Sequence, residues 1–200
     1  MVAPVCFKVG VMAKRQKSER FVSRGGDKLD GALAHFDVDV AGFVVADLGA
    51  NVGGFVDCLL QRGALRIYAV DTGYGVLDWK LRQDDRVVVM ERTNALHVNL
   101  PEVVDLIVID VAWTPLNRIV PRVLSLLKPK GIIVTLLKPQ YEARDDERIK
   151  GVVVAQYLDE VVSRTISGLL ELGVKLIAQV PSRIPGSGGN REVFLLLNQS

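Results

Sequence analysis

The sequence predicts an α/β fold: a mixed seven-stranded sheet, mostly parallel, with an antiparallel last strand and helices on both faces. Three observations predict it. Seven short runs rich in Val, Ile and Leu punctuate the chain at 43–48, 66–71, 86–90, 104–110, 131–137, 174–180 and 192–197. These runs are nearly continuous in apolar residues rather than alternating, as expected of strands covered on both faces. Between them lie segments with helical spacing, and strands that alternate with helices imply right-handed crossovers in a doubly wound sheet.

The elements follow in order. Residues 28–36 form a helix ahead of the sheet, with Leu29, Leu33 and Phe36 on its apolar face. Residues 53–62 carry Phe55, Val56, Leu59 and Leu60 at helical spacing. The segment 114–127 reads as a helix with Thr114 as N-cap and Pro115 at the first helical position. It stops at Lys128-Pro129-Lys130-Gly131, a turn signal. Residues 154–172 form a long amphipathic helix closed by Gly173, and the charged stretch 141–150 reads as an exposed loop. The last two strands are joined by the Pro/Gly-rich stretch 181–190, which leaves no room for a helix, so they pair antiparallel. A parallel sheet that ends in an antiparallel hairpin is the usual order of Rossmann-like class I methyltransferases.

Composition narrows the function. A chain of 200 residues with 49% hydrophobic and 24% charged residues builds a real core and is not a disordered polyelectrolyte. Its net charge of +2 is uninformative, but Lys8, Lys14, Arg15, Lys17, Arg20, Arg24 and Lys28 concentrate at the N-terminus. Residues 1–20 therefore read as a basic arm, suited to a polyanion or simply solvated, and 21–200 as one domain. Two cysteines, Cys6 and Cys58, and two histidines, His35 and His97, lack the spacing of a metal site. Free thiols fit a reducing, cytoplasmic setting. The apolar start has its basic residues in the wrong order for a signal peptide, and no run of apolar residues is long enough to cross a membrane.

The strongest site signal is Asp47-Leu48-Gly49-Ala50-Asn51-Val52-Gly53-Gly54-Phe55. A buried strand ends in an acid and a glycine, then turns through small residues into a helix. Gly49 permits a tight turn and a close ligand, and Gly53 and Gly54 let the helix start close to the sheet. The spacing is not that of a dinucleotide fingerprint, and Asp47 would repel a phosphate. A carboxylate there suits an ammonium group, such as that of a methionine moiety. Asp71 ends the next strand, where an acidic residue can take the ribose hydroxyls of an adenosine.

These stretches, with others, carry a resemblance. Ser23-Arg24-Gly25-Gly26-Asp27-Lys28-Leu29, the glycine loop and Tyr68-Ala69-Val70-Asp71-Thr72-Gly73-Tyr74-Gly75 resemble the TlyA/hemolysin A family. So do Asp78-Trp79-Lys80-Leu81-Arg82, Glu91-Arg92-Thr93-Asn94-Ala95, Leu137-Lys138-Pro139-Gln140-Tyr141-Glu142 and Gly189-Asn190-Arg191-Glu192. That family carries an FtsJ-like ribosomal RNA 2′-O-methyltransferase domain, and the match runs from about Phe21 to Leu197. The resemblance implies S-adenosylmethionine as cofactor, and RNA, of ribosomal type or within a ribosomal subunit, as partner. It implies a catalytic tetrad of Lys28, Asp110, Lys138 and Glu192. It implies cofactor contacts at Asp47, Gly49, Asn51, Gly53, Gly54, Phe55, Asp71, Asn94 and Asp110, with no metal.

Three departures accompany it. Members usually carry an N-terminal RNA-binding domain of the ribosomal-protein type, and the twenty or so residues before Phe21 are too few for such a core. Asp110-Val111-Ala112-Trp113-Thr114-Pro115 replaces the usual Asp-Val-Ser-Phe-Ile-Ser, and 144–154 departs from the usual glycine-rich stretch.

The tetrad suits the chemistry. A ribose hydroxyl holds its proton at neutral pH, so methyl transfer needs alignment and proton removal. A lysine serves as base when its pKa falls from about 10.4 towards roughly 7–8, and Lys28 beside Lys138 would supply a helpful second cation. Asp110 and Glu192 would hold the ammonium groups. Trp113 either stacks on a base or lines the pocket, Tyr74 and Trp79 read as packing residues, and Arg183 and Arg191 take phosphates or face solvent. Two other readings remain at this level. One is a non-catalytic RNA-binding or ribosome-assembly factor on the same fold. The other is a hemolysin-like membrane-active protein.

Overall fold

The computed structural model describes residues 20–199. Lys8, Lys14, Arg15 and Lys17 of the basic arm, and Cys6, lie outside them. The chain runs α1 (Arg24–His35), β1 (Val44–Leu48), α2 (Gly54–Gln61), β2 (Arg66–Val70), α3 (Trp79–Arg82), β3 (Val87–Met90) and β4 (Val104–Ile109). It continues through α4 (Leu116–Val123), β5 (Leu127–Leu137), α5 (Pro139–Glu142), a small hairpin β6 (Arg148–Ile149) and β7 (Val152–Val153), α6 (Leu158–Glu171), β8 (Val174–Pro181) and β9 (Val193–Gln199).

The main sheet has the order β3-β2-β1-β4-β5-β9-β8. The first five of these strands are mutually parallel, and β9 runs antiparallel to both β5 and β8. This is the seven-stranded mixed sheet that the apolar runs predict. Two cores flank it. One face packs Val45, Ile67, Leu106 and Val134 against Leu29 and Leu33 of α1 and Val56 and Leu59 of α2. The other packs Ala46, Ile107 and Ile133 against Ile119 and Val123 of α4 and Leu169 of α6. Strand order reverses between β1 and β4, so the crevice at their carboxyl ends is where an open α/β sheet offers a ligand site.

The structure revises three elements. The helix expected over 114–127 is only Leu116–Val123, with Pro115 as its N-cap rather than its first residue. Pro121 lies inside it and cannot donate a backbone N–H, and the chain tightens into a 3₁₀ turn at Leu124–Leu126. Strand β5 starts earlier than expected, at Leu127, and the Lys128–Gly131 turn is an excursion within it where the register against β4 shifts. The third revision is at 141–150, where residues 144–146 and 149–150 are exposed as expected but the chain folds into the end of α5, a 3₁₀ turn and β6 rather than a loop. Glu147 is 3% exposed and receives both terminal nitrogens of Arg164, at 2.9 and 2.7 Å, and the N–H of Arg144. Its charge is spent on an internal ion pair, so charge density there misreads as solvation. The long helix is confirmed as α6, preceded by a 3₁₀ turn at Ala155–Tyr157.

Candidate active site

Register brings the acidic residues to one edge. Leu48 pairs with Val70 of β2 and with Ile109 of β4, so Gly49, Asp71 and Asp110 follow at one level. Strand alternation sets the side chains of Asp47, Asp71 and Asp110 on the α1–α2 face, in line with Val45, Ala69 and Val108.

The glycine loop closes tightly over that edge. Gly49 has φ 94°, and a Cβ there would lie 2.6 Å from the carbonyl oxygen of Asp110. Gly54 serves a purpose the sequence does not reveal. A Cβ on it would sit 2.2 Å from Ser23 Oγ and 2.8 Å from the Gly26 nitrogen, so it lets α1, rather than the sheet, approach the start of α2. Gly53, at φ 101°, similarly makes room for Leu77 and Leu81. The Asn51 N–H donates to Asp71 Oδ2 at 2.8 Å, and the Gly73 N–H donates to Asp71 Oδ1 at 2.7 Å. Asn94 accepts from the Leu96 N–H and starts a short turn just after Thr93, whose N–H bonds the Asp71 carbonyl. Phe55 is buried, its ring 6.2 Å from that of Phe194, behind the loop rather than on its surface.

The two lysines and two of the carboxylates form two ion pairs. Lys28 Nζ lies 2.5 Å from Glu192 Oε2, with side chains 11% and 3% exposed. Lys138 Nζ lies 2.6 Å from Asp110 Oδ1. The β5–β9 ladder ends at Leu137 opposite Val193, and one further step sets Lys138 across from Glu192. Local structure explains each position. Ser23 caps α1 by accepting from the Gly25 N–H, and Gly26 lies flat under Phe21, two residues before Lys28. Pro139 at the first position of α5 turns the chain immediately after Lys138. Glu192 is enclosed by the loop 182–191, so closely that a Cβ on Gly186 would meet its Oε1 at 2.0 Å. Asn190 ties that loop to the small hairpin, accepting from the Val153 N–H and donating to the Gly151 carbonyl.

Burial acts most strongly on Asp47. Its side chain is fully buried, neither oxygen accepts a well-formed hydrogen bond, and its carboxyl is raised well above the usual carboxylate range. Burial is the main cause, followed by the charges of Asp110 and Asp71, with the Val56 N–H opposing weakly. Cys58 is also buried, and its thiol is pushed up to about 12, which makes it inert.

Aromatic residues extend the site. Trp113 is 82% exposed, is held at φ 65° and has its ring 5.0 Å from that of Tyr141. Tyr141 in turn lies 6.0 Å from Lys138 Nζ. Glu142 accepts the Leu116 N–H at 2.8 Å and pins the segment bearing Trp113, and its own carboxyl is raised by burial. Sequence reading missed Tyr141 and Glu142 as site residues because they fall in a stretch taken for an exposed loop. Tyr74 and Trp79, read as packing residues, are each 72% exposed, with the Arg92 guanidinium 4.2 Å from the Tyr74 ring centre. Among the described residues no cluster of His, Cys, Asp and Glu could hold a metal, and no helix is long and apolar enough to cross a membrane.

The arrangement fits S-adenosylmethionine. Asp47 is an orphaned buried carboxylate beneath a loop that a Cβ would obstruct at Gly49. Asp71 accepts one backbone N–H on each oxygen, which leaves lone pairs for two ribose hydroxyls.

Comparison with known proteins agrees. The family model described as FtsJ-like methyltransferase matches residues 21–199. The 16S/23S rRNA (cytidine-2′-O)-methyltransferase TlyA of Mycobacterium tuberculosis is 42% identical over 187 residues, spanning 90% of this chain and 69% of that protein. Hemolysin A of Brachyspira hyodysenteriae is 36% identical over 179 residues, spanning 86% of this chain and 75% of its own. Among solved structures, a protein described as a hemolysin from Streptococcus thermophilus superposes with a TM-score of 0.88 at 36% identity, over 92% of this chain and 69% of that one. Fibrillarin of Aeropyrum pernix, crystallised with S-adenosyl-L-methionine, shares the fold at a TM-score of 0.57 and 22% identity, over 80% of this chain and 68% of that one. The chain belongs to the FtsJ-like methyltransferase family.

Proposed function

We propose that the protein is a cytoplasmic enzyme that transfers the methyl group of S-adenosylmethionine to a ribose 2′-hydroxyl of RNA, ribosomal RNA above all. One observation carries this reading: two lysine–carboxylate pairs meet at the carboxyl edge of the sheet, beside the glycine loop. When bound, the cofactor supplies an activated methyl on a cationic sulfur with a good leaving group. Asp71 holds its ribose, and Asp47 and Asp110 offer negative charge to its cationic end. Lys138, after giving one proton of its ammonium group to solvent, takes the proton from the 2′-oxygen as the new O–CH3 bond forms and the C–S bond breaks, and Lys28 keeps that oxygen aligned. Glu192 and Asp110 fix the two ammonium groups. The exposed Trp113, braced by Tyr141, offers a stacking face to the base of the target nucleotide or its neighbour.

Two expectations follow directly. Replacing Asp71 by alanine should weaken S-adenosylmethionine binding by about 1–3 kcal/mol, the scale of a lost charged hydrogen bond. Calorimetry measures it, and unchanged affinity removes Asp71 from the site. The Trp113→Ala variant should lose about 1–3 kcal/mol of RNA affinity, the scale of one base–aromatic stack, with cofactor affinity unchanged. RNA titration of the variant and the parent checks this, and equal affinities exclude the stacking role.

A further inference from the structure

Asp47 is a charge with nowhere to go. It is fully buried, and neither of its oxygens accepts a well-formed hydrogen bond. Asp71 at the end of β2 and Asp110 at the end of β4 press like charges upon it. From α2 it meets only the Val56 N–H. At the same edge Lys138 is engaged by Asp110, and Lys28 of α1 by Glu192. A carboxylate so placed favours its neutral form, because burial and like charge both disfavour ionisation.

We infer that Asp47 carries a proton in the ligand-free protein and releases it when a cationic ligand occupies the crevice above Gly49, so that cofactor capture and proton release are one equilibrium. This rests on the proposed use of S-adenosylmethionine. The Asp47 O–H bond breaks, the proton passes to solvent and the electron pair stays on the carboxylate. The new negative charge then faces the ligand's ammonium and sulfonium groups. A unit positive charge about 5 Å away favours the carboxylate by a few hundredfold, to order of magnitude, at an effective dielectric of about 20. The three acids at one edge are thereby compatible with an empty crevice, and their repulsion is replaced by attraction only when the cation arrives.

Between the lowered pKa of the bound state and the raised one of the empty state, affinity rises with pH by up to about tenfold per unit, then levels off above the raised value. In the empty protein the native state holds a proton that the unfolded chain has lost. The contribution of Asp47 to stability is therefore fully present below the ordinary aspartate pKa of about 3.9 and is lost as pH rises through the raised value. The Asp47→Asn variant removes the Asp47 contribution to both slopes.

The test is calorimetric titration of the whole chain with S-adenosylmethionine at several pH values, in paired buffers of different ionisation enthalpy. Adenosine, which lacks the cationic end, is the parallel probe. The expected result is release approaching one proton per site with S-adenosylmethionine, none with adenosine, and none in Asp47→Asn. Binding of S-adenosylmethionine without proton release at any pH overturns the inference and leaves the proposed function standing. Release that persists in Asp47→Asn also overturns it. If the variant or the parent fails to bind, a carbon-13 carboxyl titration of the empty parent protein decides. Titration of Asp47 in the ordinary aspartate range overturns the inference, and a raised value upholds its first half. Failure of the parent to bind is a failure of the proposed function alone.

Discussion

Replacing Lys138 by alanine is expected to cut the single-turnover rate of methyl transfer by about 10²–10⁴, the usual contribution of a positioned base, while cofactor affinity stays within a few-fold. The residue directly follows a buried strand, is 15% exposed and is held by Asp110 at 2.6 Å, so its ammonium group is fixed at the carboxyl edge of the sheet. Lys28→Ala should be severe as well, because Lys28 and Glu192 form the other half of the same unit. Groups that act as a unit are not additive, so the double variant should be little worse than the worse single one. Asp110→Ala differs. It releases Lys138 and, under the proposed function, also removes charge that would face the sulfonium, so binding and rate should fall together. Single-turnover assays on a responsive RNA, with cofactor affinity measured separately, check the set. A Lys138→Ala enzyme of near-parental rate removes Lys138 from the chemistry.

Glu192→Ala is expected to be as costly to the fold as to the reaction. It strips the partner from Lys28, which is 11% exposed, and leaves an uncompensated charge under the loop 182–191. Breaking a buried pair from one side costs about 3–5 kcal/mol, a large part of the roughly 5–15 kcal/mol that holds a domain folded. Removing both charges together is different. Lys28→Met with Glu192→Leu replaces the pair by apolar groups of similar size and should recover most of the stability, with activity still absent. Urea unfolding of the two variants separates the effects. A Glu192→Ala protein within about 0.5 kcal/mol of the parent, the range of ordinary surface changes, contradicts the view of this pair as buried and structural.

The sheet was legible because its strands are covered on both faces and read as unbroken apolar runs. The last hairpin was legible because the segment Pro181–Asn190 left no room for a crossover helix. Helix ends were harder. Pro115 suits either the N-cap or the first turn, and only the early start of β5 at Leu127 shows that the helix must stop at Val123. Residues 141–150 misled because charge on a short segment looks solvated until its partner is known, and Arg164, the partner of Glu147, lies on α6. The site's residue types came from family resemblance, but their pairing did not. The expectation set Lys28 near Lys138 with Asp110 and Glu192 holding the ammonium groups, without saying which acid holds which lysine. Strand register and the wrap of the loop around Glu192 pair Lys138 with Asp110 and Lys28 with Glu192. The close approach of α1 to Gly54 was likewise hidden, because nothing in a glycine says which neighbour it admits.

The most direct test of the account is to incubate the protein with RNA and S-adenosylmethionine carrying a deuterated methyl group, digest the RNA to nucleosides and locate the label by mass spectrometry. Ribosomal subunits and naked ribosomal RNA serve as parallel substrates. The account predicts label on the ribose 2′-oxygen, formed by the parent and lost in Lys138→Ala. Label on a base, or bound cofactor with no label on any RNA while the parent remains folded, contradicts it, and the second result favours a non-catalytic RNA-binding factor on the same fold.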